Sequence, residues 1–89
     1  MDLEVIRDME ELFDKRVLRL LLLLRQEENV PLHVVKRILD EDMIRKLLNR
    51  RIIRLHKIDE STLVCVAYPK GELISKAIYE IYIALKEGL

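Results

Sequence analysis

The feature that most restricts the fold of this chain is a leucine-rich segment that runs from Lys15 to Gln26. Three of its leucines lie outside the stripe of apolar residues at helical spacing, which consists of Val17, Leu20, Leu21 and Leu24. A helix that is apolar on most sides is buried on most sides, so we expect this segment to be the central helix. Its unbroken apolar run, Leu20–Leu24, is far shorter than the roughly 20 residues that a membrane-spanning helix needs.

Other segments show either helical or strand-like periodicity. Helices are predicted over residues 2–13, 31–39, 42–50 and 72–87. β-branched residues from Ile52 to Ile58 and an apolar run from Leu63 to Tyr68 predict two strands joined by a turn at 59–62. The predicted fold is therefore mostly α with a β-hairpin.

Eighty-nine residues suit a single domain. Within residues 1–89 we expect an N-terminal helix at 1–13, a core at 14–68 and a C-terminal helix at 72–87. Asp14 stands where a helix N-cap belongs, and the acidic residues 40–42 contain the next one.

The formal net charge of zero hides a strong segregation of charge along the chain. Residues 1–14 carry six acidic side chains and one basic one, residues 15–57 carry twelve basic and five acidic ones, and residues 58–89 carry five acidic and three basic ones. Because phosphate binding depends on the local potential, the basic middle section is what a nucleic-acid surface needs. Basic side chains that merely solvate helix faces would give the same pattern, so charge alone leaves both interpretations open.

Short motifs in this middle section resemble those of winged helix-turn-helix DNA-binding proteins. The segment Asp14–Leu21 resembles the Asp-Pro-x-Arg-Leu-x-Ile-Leu opening of ArsR-like repressors. Leu47–Ile53 is similar to their Leu-x-x-x-Gly-Leu-Ile junction between recognition helix and wing, and Val30–Leu39 matches the first helix of the helix-turn-helix. The resemblance, which includes small archaeal transcription regulators, implies a winged helix-turn-helix with extra N- and C-terminal dimerisation helices.

Two features depart from the pattern of these proteins. Arg51 stands where the pattern has glycine, and because a side chain disfavours the left-handed conformation, we expect the junction to turn differently. Asp40, Glu41 and Asp42 open the expected recognition helix and would repel phosphates if they faced the DNA backbone.

The outer face of the predicted helix at 42–50 carries residues that suit DNA. Arginine pairs bidentately with guanine and asparagine with adenine, so Arg45 and Asn49 are the expected base-reading residues. Neighbouring basic residues would hold phosphates. The expected DNA contacts are Arg45, Asn49, Lys46, Arg50, Arg54, His56, Lys57, Lys36 and His33. In the alternative, this is an exposed polar face in which Asp42 pairs with Arg45 or Lys46.

The last predicted helix carries a second apolar strip. The main stripe, expected to pack against the domain, is Leu73, Ile74, Ala77, Ile78, Ile81, Ala84 and Leu85. Tyr79 and Ile83 project from the opposite side, and a second apolar strip on a terminal helix usually seeks a partner. With the first helix added, as the resemblance implies, the expected dimer interface is Leu3, Ile6, Met9, Tyr79, Tyr82 and Ile83. In the alternative, Tyr79 and Ile83 pack against the first helix of their own chain, leaving a monomer.

The resulting hypothesis is a homodimeric transcription regulator that binds double-stranded DNA sequence-specifically. The alternative is a winged helix that serves as a protein–protein interaction module in a larger assembly. An enzyme is not expected, because neither Ser61 nor Ser75 has a neighbouring histidine in a recognisable motif and the sequence lacks a Gly-rich phosphate loop and a His-Glu-x-x-His signature. The cysteine pair of metal-sensing ArsR-like repressors is also missing, so neither a metal nor a cofactor is expected.

Single residues of interest have ordinary structural explanations. Cys65 lies among apolar residues, so we expect a buried core thiol rather than a redox switch. His33 is either a phosphate contact or a surface or helix-capping residue, and His56 lies either beside DNA or in a solvated wing.

Cysteine content and the acidic start bear on the compartment. A single cysteine excludes an intramolecular disulfide, and the first residues lack the basic region of a signal peptide. We therefore expect a soluble, cytoplasmic protein without a membrane partner. The carboxamide residues are few, which hints at a thermophilic host.

Overall fold

A computed structural model describes residues 1–88 of the chain. In chain order the elements are α1 (Leu3–Leu12), α2 (Lys15–Glu27), β1 (Val30–Pro31), α3 (Leu32–Ile38), α4 (Glu41–Asn49), β2 (Ile53–Ile58), β3 (Ser61–Val66) and α5 (Lys70–Glu87). The described residues are therefore mostly helical, with a small antiparallel sheet in the strand order β1-β3-β2. This confirms the predicted class, a largely helical fold with a β-hairpin.

Helix α2 lies at the centre of the core, as its leucines predict. Val17, Leu20 and Leu21 are completely buried, whereas Leu18 reaches the surface. The buried apolar cluster draws on every helix from α1 to α4 and on all three strands, and consists of Leu12, Val17, Leu20, Leu21, Leu24, Val30, Val35, Leu39, Met43, Ile44, Leu47, Ile52, Ile53 and Val64.

The two predicted N-caps are confirmed. The Asp14 carboxylate accepts hydrogen bonds from the backbone N–H groups of Arg16 and Val17 at 2.9 and 3.0 Å. The Asp40 carboxylate accepts one from the backbone N–H of Met43 at 2.8 Å. These hydrogen bonds stabilise the charged carboxylate and so lower the pKa of both side chains. The largest contribution comes from the N–H of Val17 for Asp14 and from the N–H of Met43 for Asp40. The acidic start of α4 is therefore partly a capping device.

The hairpin forms with a tighter turn than predicted. Strands β2 and β3 pair from Ile53 opposite Val66 to Ile58 opposite Ser61, so the turn occupies residues 59–60 alone. Strand β1 was not predicted. It adds Val30 opposite Val64 on the other side of β3, which leaves β2 at the edge of the sheet.

The junction after α4 corrects the expectation for Arg51. Arg51 adopts the left-handed conformation with φ of 58° that glycine would take there. Its N–H donates to the Leu48 carbonyl and the N–H of Ile52 donates to the Leu47 carbonyl, both at 3.0 Å. This is the Schellman arrangement that ends many helices, and burial of Leu47 and Ile52 supplies its usual apolar contact. The packing around the junction thus outweighs the preference of a non-glycine residue for negative φ.

Helix α5 begins earlier than predicted and packs by only part of the predicted face. Gly71, expected to end the hairpin, lies in the first turn of α5, and it is buried together with Ser75 one turn later. Leu73, Ile81 and Leu85, expected to face the domain, are 70, 60 and 75% exposed. Ile74 and Ile78 of the predicted stripe do pack against the core, so the prediction was right for them and wrong for these three residues. Because α5 is apolar on several sides, the small residues Gly71 and Ser75 mark the side that approaches the core most closely.

Candidate nucleic-acid interface

The outer face of α4 presents the two residues that were assigned to base reading. Met43, Ile44 and Leu47 anchor α4 in the core. Arg45 and Asn49 consequently lie on the solvent side, one helical turn apart, and both are exposed. The structure thus brings these two residues together on one accessible face.

Carboxylates close in sequence pair with some of the expected DNA-binding cations. Arg45 lies 3.2 Å from the Asp42 carboxylate, which is the pairing that the alternative interpretation of this face anticipated. Lys36 of α3 lies 3.9 Å from Glu41. Because these side chains are largely exposed, such pairs contribute little to stability and exchange readily for other anions.

Two further cations of the α4 surface pair with helix α1. Lys46 Nζ lies 2.8 Å from a carboxylate oxygen of Glu11. Both terminal nitrogens of Arg50 donate to the two carboxylate oxygens of Asp8, one of them at 2.8 Å. The hydrogen bond from Arg50 lowers the pKa of Asp8, and the hydrogen bond to Glu11 raises the pKa of Lys46. These pairs join residues far apart in the chain, so helical spacing could not reveal them.

Strand β2 continues the basic surface directly after α4. Arg54, His56 and Lys57 are exposed, and β2 is an edge strand whose residues beyond Ile53 lie outside the buried core. Arg54 and His56 point to one face of the hairpin and Lys57 to the other, because side chains alternate along a strand. Within residues 1–88, neither Arg54 nor Lys57 forms an ion pair. His33 is exposed on α3, which directly follows β1 at the edge of the sheet opposite β2.

The residues expected to form a dimer interface fall on two separate surfaces. Helix α1 packs chiefly against α4, where Leu3 and Met9 stay exposed and Ile6 is half-buried. Tyr79, Tyr82 and Ile83 instead line a groove between α5 and α2. The Arg25 guanidinium lies 5.9 Å from the centre of the Tyr79 ring. The tyrosines therefore face α2 of their own chain, not α1 as the monomeric alternative assumed.

The remaining residues singled out in the sequence have structural roles. Cys65 is buried in β3, as expected for a core thiol. Ser75 is completely buried, and its hydroxyl donates to the Glu72 carbonyl at 3.3 Å. Within residues 1–88 no three His, Cys, Asp or Glu side chains are grouped so as to hold a metal ion, and none of the helices has the length and apolarity to cross a membrane.

Comparison with known proteins identifies no relative. No family model matches the chain, and neither a curated protein nor a solved structure is significantly similar to it. The function is therefore inferred from the residues and their geometry.

Proposed function

We propose that this protein is a cytoplasmic, dimeric winged-helix transcription regulator that binds double-stranded DNA. The observation that carries the proposal is the exposed surface running from α4 into β2. It offers Arg45 and Asn49 for base edges, followed by Arg54 and Lys57, which lie on opposite faces of the hairpin and have no carboxylate partners among residues 1–88. Phosphate contacts supply most of the affinity of such proteins and base contacts supply the specificity, and this surface holds residue types for both.

Each group of side chains has a distinct role in this proposal. Arg45 reads guanine and Asn49 reads adenine from the major groove. Lys46, Arg50, Arg54 and Lys57 hold phosphates, and His33, Lys36 and His56 flank them. A contact to a base edge would fix the sequence preference, whereas the phosphate contacts would act on all DNA alike.

The order and geometry of the elements support the winged-helix assignment. Two short helices, α3 and α4, precede an antiparallel hairpin that would serve as the wing. The left-handed turn at Arg51 occurs where ArsR-like proteins carry glycine. Of the acids at the start of α4, Asp40 is engaged as an N-cap and Glu41 lies beside Lys36. Asp42, by contrast, would have to share or release Arg45 when Arg45 contacts guanine.

Removal of the unpaired cations of β2 tests the proposed surface. Arg54→Ala/Lys57→Ala removes four phosphate contacts from the proposed dimer, so it should weaken binding to any double-stranded DNA by about tenfold or more and flatten the log–log salt slope by about 3.6. Lys70→Ala/Lys86→Ala, which removes the same charge from α5, should change neither. Fluorescence anisotropy on labelled random-sequence duplexes measures both quantities. Equal effects of the two double variants would show that net charge, not this surface, governs binding.

The dimer contact in this proposal lies on the exposed stripe of α5. Leu73, Ile81 and Leu85 recur at helical spacing and remain outside the core. Antiparallel pairing with a second copy about a twofold axis near residue 79 would set Leu73 against Leu85 and bring Lys76 near Glu80. The apolar stripe can therefore pair with a second copy of itself about a twofold axis.

Sedimentation equilibrium at tens of micromolar tests this contact. The wild type should be a dimer and Ile81→Glu a monomer, because a carboxylate in an apolar interface is strongly unfavourable. Leu3→Glu, on the exposed side of α1, is the matched control and should leave the dimer intact. Dissociation by Leu3→Glu alone would move the contact to α1.

A second candidate function is a protein–protein interaction module, and the apolar stripe of α5 is the observation that favours it. In that case the stripe docks on a different protein. A monomeric wild type that does not bind DNA would support this candidate over the first.

A further inference from the structure

Helix α1 places a row of carboxylates on the cations that the proposed function assigns to phosphates. Asp8 and Glu11 are one helical turn apart on α1, and Lys46 and Arg50 are one turn apart on α4. Asp8 pairs with Arg50 and Glu11 pairs with Lys46, so the acidic and basic rows match in antiparallel order. The carboxylates therefore stand where phosphates would bind.

The attachment of α1 to the domain, apart from these pairs, is concentrated at its C-terminal end. Leu12 is buried in the core, and Phe13 directly after the helix packs against it. Toward the N-terminus Ile6 is half-buried, whereas Leu3 is 72% exposed and Met9 54%, so this part of α1 packs only weakly. Exposed ion pairs add little to stability and are weakened by competing ions. A strong polyanion can therefore displace the weakly packed part of α1 from the cations of α4 while Leu12 stays in the core.

We propose that α1 is an autoinhibitory segment that covers the phosphate-binding cations of α4 and is displaced when DNA binds. This inference rests on the proposed function, since the anion that competes with α1 is the DNA backbone. Each phosphate contact by Lys46 or Arg50 requires that an ion pair to α1 first be broken. The acidic N-terminal section thus weakens binding to DNA in general, and the duplexes that bind best are those with additional base contacts to Arg45 and Asn49.

Neutral isosteres of the two pairing acids test the inference. Asp8→Asn/Glu11→Gln should bind random-sequence duplexes roughly tenfold more tightly than the wild type, because two cations no longer exchange a carboxylate for a phosphate. Glu4→Gln/Glu10→Gln removes the same charge from α1 but breaks no ion pair of the described residues, and should change the affinity by no more than about twofold because of screening. Circular dichroism verifies that all variants keep the helical content of the wild type.

A second measurement reports the displacement itself. Amide hydrogen exchange in residues 3–12 of the wild type should accelerate when duplex DNA is added, whereas exchange in α5 should not. A simple repulsion between α1 and DNA, with α1 left in place, would leave this exchange unchanged.

The outcomes separate the inference from the function on which it rests. One outcome would refute the autoinhibitory role alone: the wild type binds DNA, both double variants bind it with the same affinity as each other, and DNA does not accelerate amide exchange in α1. The DNA-binding function would then stand. If no form binds DNA even at low salt, both are wrong.

Discussion

Replacement of Gly71 with alanine should lower the free energy of unfolding by about 3 kcal/mol or more, at the upper end of overpacking effects. A Cβ atom at this position would lie 2.8 Å from the Ile52 carbonyl carbon and closer still to its oxygen. That oxygen accepts the hydrogen bond from the Ala67 N–H at 3.0 Å, which joins the segments that flank the hairpin. Backbone atoms on both sides would therefore have to move. Alanine gains at most about 1 kcal/mol in helix propensity, which is too little to compensate.

The other glycine provides the matched control. Gly88 caps α5 with φ of 72°, and an added Cβ would meet no atom within 4 Å. Gly88→Ala should cost only about 1 kcal/mol, from backbone strain alone. Urea denaturation followed by circular dichroism measures both changes. Equal stability of Gly71→Ala and the wild type would mean that α5 does not approach Ile52 as described.

The elements with strong local patterns were predictable from the sequence. The leucines of α2 identified the central helix, and Asp14 and the acidic segment 40–42, within which the structure shows Asp40 as the cap, identified two helix starts because capping depends on residues only two or three positions away. Strand β1 escaped prediction because two residues show no periodicity. It exists because Val30 lies beside Val64 of β3, a contact made by the folded chain.

The orientation of α5 was predicted only in part, since Ile74 and Ile78 pack as expected but the leucines and Ile81 of the same stripe do not. Its apolar residues occupy more than one face, so the size of the largest stripe did not identify the buried side. Gly71 and Ser75, one turn apart, did mark that side, because small residues allow a helix to approach a neighbouring backbone closely. The exposed stripe of Leu73, Ile81 and Leu85 became apparent only in the structure.

The exposure of the candidate site residues could be predicted from the sequence, but their ion pairs could not. The sequence led to the prediction that Lys46 and Arg50 contact phosphates, and both lie on the surface of α4. It did not show that Asp8 and Glu11 engage them, since nothing in a local pattern links α1 to α4. The separation of charge along the chain was the available clue, because an acidic helix is attracted to the most basic surface within reach.

The salt dependence of wild-type binding is the second large effect that we expect. Lys46, Arg50, Arg54 and Lys57 in two copies provide eight phosphate contacts in the proposed dimer. Each contact releases counterions from DNA, so the affinity for a duplex should fall by at least about a thousandfold between about 50 and about 200 mM salt. A monomer with half of these contacts would show roughly half the log–log slope.

The most direct measurement of the central claim is therefore an anisotropy titration of the unmodified protein on a random-sequence duplex at several salt concentrations. We predict tight binding at low salt and a steep, linear decrease of log affinity with log salt, with a slope near −7 for about eight contacts. Absence of binding at about 50 mM salt, or an affinity that changes less than about threefold over this range, would contradict the assignment of α4 and β2 as a DNA-binding surface.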